Sequence, residues 1–359
     1  MIKEQFKMVT PSSAEATAGK PADAEAIKNK RQEAGSLNNE IMSIQGGKNL
    51  EDLEVDELKK VLELYKKIRN LGKGDAETRE GKIEGSVEEQ ISRAREIMGD
   101  SEVMGPNEIK NSFGVEMGFE EVPPIPFSES ELERAKELGQ FLVLRVPKAK
   151  DGQPFTMQKI NESLEKDFKD KSKGKILYKV DWYSQESFYT GGKEKEPADY
   201  SLPRAGWALT TKDFINNSTS KNYLQQTEEI AEYLKTEVYK DIEMPEEYRE
   251  AIDELDSKKD KLQKLLKTGD KSKYEPEISK LKLNKLTRQS PAEVLYDILI
   301  YFQNNDERLL EGKFAWTHTA GSDGDRVIVG DFGSGGADVG GDSDDSSSSD
   351  LGAVFSRNF

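Results

Sequence analysis

The last 46 residues, Phe314 to Phe359, contain no Lys, Glu, Gln, Met or Pro, although Lys, Glu, Gln and Met make up 104 of the 313 residues before them. In their place stand 9 Gly, 8 Ser and 8 Asp. A segment so poor in helix formers and so rich in turn formers cannot carry a helix forward. Its apolar residues recur at strand spacing: Val327, Ile328, Val329 and Phe332, then Ala337 and Val339, then Leu351, Ala353, Val354 and Phe355. The pattern predicts three short β-strands separated by Gly-, Asp- and Ser-rich turns. A disordered tail would account for Asp342 to Asp350 taken alone, but not for these anchors. Acidic tails also ordinarily use Glu, and here eight Asp stand beside none.

Upstream the chain is written for helices. Residues 1–47 are rich in Ala, Ser, Lys, Glu and Gly and are expected to be disordered or weakly helical. Residues 48–121 are expected to form a helical region. Leu50, Leu53, Leu58, Val61, Leu62, Tyr65, Ile68 and Leu71 make one apolar helix face, and Ser86 with Glu89 forms a capping box before Ile91, Ala94, Ile97 and Met98. The Leu50 to Leu71 face is long enough to support self-association. Met98, Met104 and Met117 read as core filler. Val122-Pro123-Pro124-Ile125-Pro126 reads as a stiff linker over 122–127, the expected domain boundary.

From residue 128 the expectation is a mixed domain. Ser128 and Thr156 are placed as helix N-caps, Phe141 to Val146 as a buried strand, and Trp207 to Leu209 as another. Ile176, Tyr178, Val180 and Trp182 alternate as a strand would. Two long helices follow around Tyr223 to Val238 and Tyr248 to Leu266. Ser290, Pro291 and Glu293 then announce the most apolar helix, Val294 to Phe302, which should be the core of the domain. The fold class is therefore α+β.

Composition excludes several chemistries. With no Cys and one His there is no disulfide frame, thiolate nucleophile or multi-His metal centre. A net charge of -16 argues against a nucleic-acid-binding surface. No apolar run approaches the roughly 20 residues of a bilayer span, and no secretory signal opens the chain, so a cytoplasmic location is expected. His318 lies between Thr317 and Thr319 with no nucleophile elbow, and the Glu120–Glu121 and Glu246–Glu247 pairs read as solvated helix charges, so no catalysis and no cofactor are expected.

The run Glu307-Arg308-Leu309-Leu310, then Trp316-Thr317, Val327-x-Val329-Gly330-x-Phe332, Val339, and Leu351-Gly352-Ala353-x-Phe355-Ser356-Arg357 resembles the C-terminal variable repeat of target proteins of diversity-generating retroelements. Gln140 to Val146, Gly206 to Leu209 and Asn217 to Leu224 are similar to uncharacterised proteins carrying the same repeat in reduced-genome bacteria. The resemblance covers roughly residues 128–359. It implies a C-type-lectin-like fold of the formylglycine-generating-enzyme type, with the variable repeat at about 314–359. In such systems an error-prone reverse transcriptase randomises template adenines, mostly in AAC-type codons. Codons that keep a final C cannot encode Lys, Glu, Gln, Met or Trp, which accounts for the missing residues.

The resemblance implies that function is binding of an unknown protein or other macromolecule, with framework residues held and variable residues displayed. The framework set is Trp316, Thr317, Val327, Val329, Gly330, Phe332, Val339, Leu351, Gly352, Phe355, Ser356 and Arg357. The expected contact set is His318, Ala320, Gly321, Asp325, Arg326, Ile328, Asp331, Gly333, Gly335, Asp338, Gly340, Gly341, Asp342, Asp344, Asp345, Asp350 and Val354. Strand alternation turns Ile328, Asp331 and Asp338 away from the core. The set is small and acidic and, Arg326 apart, lacks the Tyr, Trp and Arg that usually anchor interfaces, so a basic ligand is the natural expectation. The alternatives are a structural acidic β-domain and Ca²⁺ binding. Asp323-Gly324-Asp325 and Asp342, Asp344 and Asp345 offer oxygen ligands, but Asp-Gly is first of all a turn former and no EF-hand spacing is present.

Overall fold

A helix that is apolar on every side must be buried on every side. Helix α10, Pro291–Asn305, meets that condition, with Pro291 through Phe302 all buried. Its start follows the expected grammar: the Ser290 hydroxyl accepts from the Glu293 amide, the Glu293 carboxylate accepts from the Ser290 amide, and Pro291 occupies the first helical position.

The computed structural model describes Lys60, residues 83–191 and residues 201–358. The elements are α1 (Val87–Met98), β1 (Val103–Met104), α2 (Pro106–Phe113), α3 (Glu129–Glu137), β2 (Gln140–Arg145), α4 (Met157–Asp170), α5 (Ser187–Thr190) and β3 (Gly206–Thr211). They continue with α6 (Tyr223–Tyr233), which runs on into a π-turn at Leu234–Val238, then α7 (Glu246–Leu266), α8 (Lys271–Ile278), α9 (Lys282–Thr287) and α10. Strands β4 (Phe314–Ala320), β5 (Arg326–Gly333), β6 (Gly336–Asp342), β7 (Leu351–Gly352) and β8 (Ser356–Asn358) complete an α+β fold. No helix among the described residues is long and apolar enough to cross a membrane.

Two four-stranded sheets organise these elements. The first has the order β1-β2-β3-β8, the second β6-β5-β4-β7. The C-terminal segment thus supplies the whole second sheet and then sends β8 back to pair antiparallel with β3, Ser356 opposite Thr210. The second sheet has a core on each face. Ala315, Val327, Val329, Ala337 and Val339 join the core that holds α10 and the first sheet. Phe314, Trp316 and Ile328, on the other face, pack with a second core built from α6 to α9 and from Leu351, Ala353 and Phe355.

Three expectations change. The 122–127 segment is no linker: Val122, Ile125 and Phe127 are buried in the same core as α1 and α10. The Trp207 indole donates to Pro123 O (2.8 Å) and Ile125 N donates to Gln90 Oε1 (2.9 Å), so proline there shapes a packed crossing. The chain divides instead after Arg79, with Glu80 onward forming one unit. Second, Ile176 to Tyr183 forms no strand beyond a bridge between Leu177 and Ala337, because the segment runs along the outer edge of β6 and then turns away. Ile176 and Leu177 are both buried, whereas Tyr178 and Trp182 are exposed, so the alternation did not sort inside from outside. Third, residues 83–121 hold strand β1 as well as helices. Met98 and Met104 are buried in the first core. Residues 1–47 and the Leu50 to Leu71 face lie outside the described residues.

Leu299→Ala in the middle of α10 removes a fully buried side chain from the first core. It is expected to lower the unfolding free energy by about 2–5 kcal/mol, read as a lower urea midpoint at unchanged slope.

Candidate binding surface

The residues expected to be framework in the C-terminal segment have individual physical reasons to be where they are. The Thr317 hydroxyl donates to Val327 O (2.8 Å), locking β4 to β5 near the point where their register shifts. The Trp316 ring meets Tyr223 edge-on at 5.3 Å. A Cβ on Gly330 would lie 1.9 Å from Lys313 O, and one on Gly352 would lie 2.4 Å from the Phe214 ring, so neither position tolerates a side chain. Ser356 Oγ accepts from Arg145 (3.0 Å), and the Arg357 guanidinium donates to Glu131 Oε1 (2.9 Å) and to the Tyr239 hydroxyl (3.0 Å). All twelve framework residues are buried.

Fourteen of the seventeen expected contact residues are accessible, and all but Asp338 fall at two ends of the sheet. His318, Ala320, Gly321, Asp325, Ile328, Gly340, Gly341, Asp342 and Asp345 gather where the β4–β5 hairpin meets the end of β6. Asp331, Gly333 and Gly335 sit at the β5–β6 turn, roughly 17 Å away along five residues of strand, and Asp350 lies beside the start of β4. Asp338 lies between, opposite Gly330. Asp331 is also a turn residue: with φ 43° it takes a left-handed conformation, and its Oδ1 accepts from Gly312 N (2.9 Å). Ile328 turns away from the first core as expected but packs partly against the second.

Arg326, Asp344 and Val354 are corrections. All three are buried and present nothing to a ligand. Arg326 makes a bidentate pair with Asp344, Nε to Oδ1 and Nη2 to Oδ2 each at 3.0 Å. Its Nη1 donates to Ser279 Oγ (3.1 Å) and His318 O (3.0 Å), and its guanidinium lies 4.4 Å from the centre of the Tyr223 ring. Arg288 lies 4.2 Å from the same ring, with burial pushing its pKa down to about 10. Burial works against the charge on Arg326, and Tyr223 and Asp344 more than offset it, so its pKa is raised. Alternation alone could not reveal a salt bridge between residues 18 apart in sequence.

The Ser-rich loop is tethered. Ser220 N donates to Ser348 O (2.8 Å) and Tyr223 N to Asp344 O (3.0 Å), which fastens residues 344–348 to the start of α6. Helix α8 walls the hairpin end of the surface: Lys271 pairs with Asp325, and the Tyr274 hydroxyl lies 3.1 Å from Ser343 Oγ. On the opposite side, at the outer edge of β6, stand Tyr178 and Trp182. Neither α8 nor these two aromatics figured among the expected contacts. Among the described residues no group of three or more His, Asp or Glu converges in a way that could hold a metal ion.

His318 sits where β4 and β5 lose register, and its amide donates to Gln289 O (3.1 Å). Burial pushes its imidazole down to about 4, against the opposing pull of Glu293. Glu293 stays ionised, well below the usual carboxylate range, because Arg204 and Arg145 outweigh its burial. Comparison with family models, curated proteins and solved structures returns no match.

Two outcomes follow for stability. Asp344→Ala strands a buried guanidinium and should cost about 3–5 kcal/mol in urea unfolding, whereas Asp345→Ala next to it, exposed, should stay within about 0.5 kcal/mol. Because the folded pKa of His318 lies below its unfolded value, its contribution is present above pH 6.5 and is lost as pH falls towards 4. With allowance for partial exposure that loss is on the order of 1–2 kcal/mol, and His318→Asn should flatten the fall in thermal midpoint across this window.

Proposed function

We propose that the chain is a ligand-binding protein, without catalysis, whose C-terminal surface is diversified by mutagenic retrohoming, carried on a C-type-lectin-like domain of the formylglycine-generating-enzyme type and working in the cytoplasm. The observation that carries this reading is the sorting of residues 314–359. Every position assigned to the framework is buried, and the positions between are mostly accessible and drawn from an alphabet lacking Lys, Glu, Gln and Met. Rigid strands with separate backbone and core constraints allow the displayed residues to change without unfolding the sheet. Segments that merely solubilise have no reason to combine buried β-strands with such a restricted exposed alphabet. The partner in this reading is a protein or other macromolecule, and the acidic character of the displayed residues favours a basic one.

The reading is tested on DNA. The locus is expected to carry a reverse transcriptase gene and a second, near-identical copy of the stretch encoding residues 314–359, differing only at adenines. Related isolates are expected to differ at accessible positions such as 320, 325, 340 and 345, and at 326 and 344 only in combinations that keep the buried pair compensated. A locus with neither gene nor template copy would overturn it.

A further inference from the structure

Phe119, Tyr178 and Trp182 are the large apolar side chains left exposed among the described residues, and two of the three stand against the variable segment. Tyr178 is 45% exposed and Trp182 49%. Tyr178 Cδ2 lies 3.6 Å from where a Cβ on Gly335 would be, and Trp182 Cη2 lies 3.8 Å from the same point on Gly341. Both rings are on fixed backbone. Tyr178 N donates to Ala337 O (2.9 Å), and the Trp182 indole donates to Val339 O (3.1 Å) while its ring meets Tyr183 edge-on at 5.1 Å. Exposed aromatics held this way add contact area with little ordering cost on binding.

We infer that Tyr178 and Trp182 are the invariant anchors of the binding surface, and that its partner is an extended protein segment bearing Arg or Lys that lies across these two rings, outside the residues 175–178 that already pair with the edge of β6. This rests on the binding role proposed above, though not on its diversification. Gly335 and Gly341 are six residues apart, roughly 20 Å of strand, a length matched by about six residues of extended peptide. At Gly335 and Gly341 no side chain stands against either ring, and both rings stay about half exposed. Asp181 and Asp338, beside the aromatics, make no ion pair among the described residues; Asp338 Oδ1 accepts from Val339 N (2.9 Å), which leaves its other oxygen and the Asp181 carboxylate to meet a cation. Tyr178 already carries one: Lys179 Nζ lies 4.9 Å from its ring centre, which shows that the face accepts an ammonium group. A partner cation taking that place must displace Lys179.

The test uses the full chain with an eight-residue peptide of alternating Arg and Ser, and its Glu and Ser counterpart as control. Trp207 and Trp316 are buried, so a change in indole emission on titration reports Trp182. The Arg peptide is expected to shift that emission, and by calorimetry Tyr178→Ala and Trp182→Ala should each weaken it by about tenfold or more with net charge unchanged. Trp182→Phe, which keeps a ring but loses the hydrogen bond to Val339, should stay within about threefold, separating contact from support of the strand edge. Lys179→Ala should tighten binding more than Lys267→Ala, which removes the same charge from the end of α7. Equal binding of both peptides, or equal affinity with and without the two aromatics, overturns the inference. If Trp182→Ala fails to fold, Tyr178→Ala and Lys179→Ala still decide it. A template repeat in the DNA together with loss of these effects would leave diversified binding standing and remove only the anchors and the basic segment.

Discussion

One guanidinium ties together parts of the chain that lie more than 200 residues apart. Arg145, at the end of β2 and fully buried, donates to Asp297 on α10, to Thr210 on β3, and to Ser356 and Asn358 on β8. Glu293, one turn before Asp297, lies 3.4 Å from the same group and also holds Arg204. A buried charge of this kind adds little net stability, because desolvation offsets most of the attraction, but it is satisfied in very few arrangements. Here the arrangement is α10 laid against the first sheet and β8 docked beside β3 with Ser356 opposite Thr210. The chain can return to the first sheet in that register only after the second sheet has been completed.

That return makes the C-terminal segment load-carrying at both ends. Trp316 and Leu351 tie it into the second core, and Ser356 and Arg357 tie it into buried ion pairs. The residues free to change are those between the anchors at the hairpin ends and along β6. The buried Arg326–Asp344 pair divides the segment further. It holds the Ser-rich loop to the body of the protein, and neither partner can be replaced without leaving the other uncompensated in the interior. A restricted exposed alphabet therefore coexists with buried positions drawn from the same residue types.

What was legible in the sequence depended on the range of the interaction that decided it. Capping residues act within one turn, so Ser86, Ser128, Thr156 and Ser290 located helix starts directly. The all-round apolar run after Pro291 located the buried helix for the same reason. The proline-rich stretch at 122–127 misled, since prolines shape a packed crossing as readily as a spacer, and the Trp207 indole that holds it lies 84 residues away. The Ile176 to Tyr183 alternation misled because period two describes a strand only when a neighbour completes the ladder, and here a single bridge forms. Among the site residues, Ile328 and Asp338 could be placed by alternation, whereas the burial of Arg326 and Asp344 depended on Tyr223 and Ser279 arriving from helices elsewhere.

The amino-acid sequence by itself determined the fold class, most helix starts, the identity of the central helix and the division of residues 314–359 into anchors and intervening small residues. These follow from local chemistry: capping, periodicity, and the backbone freedom of Gly, Asp and Ser. Only the tertiary structure decided that the segment forms one sheet with a core on each face, that its last strand joins a different sheet, and that two of its charged residues neutralise each other inside. Only there do Tyr178 and Trp182 come to stand beside Gly335 and Gly341, because that neighbourhood is created by packing between segments some 160 residues apart and leaves no period in the sequence.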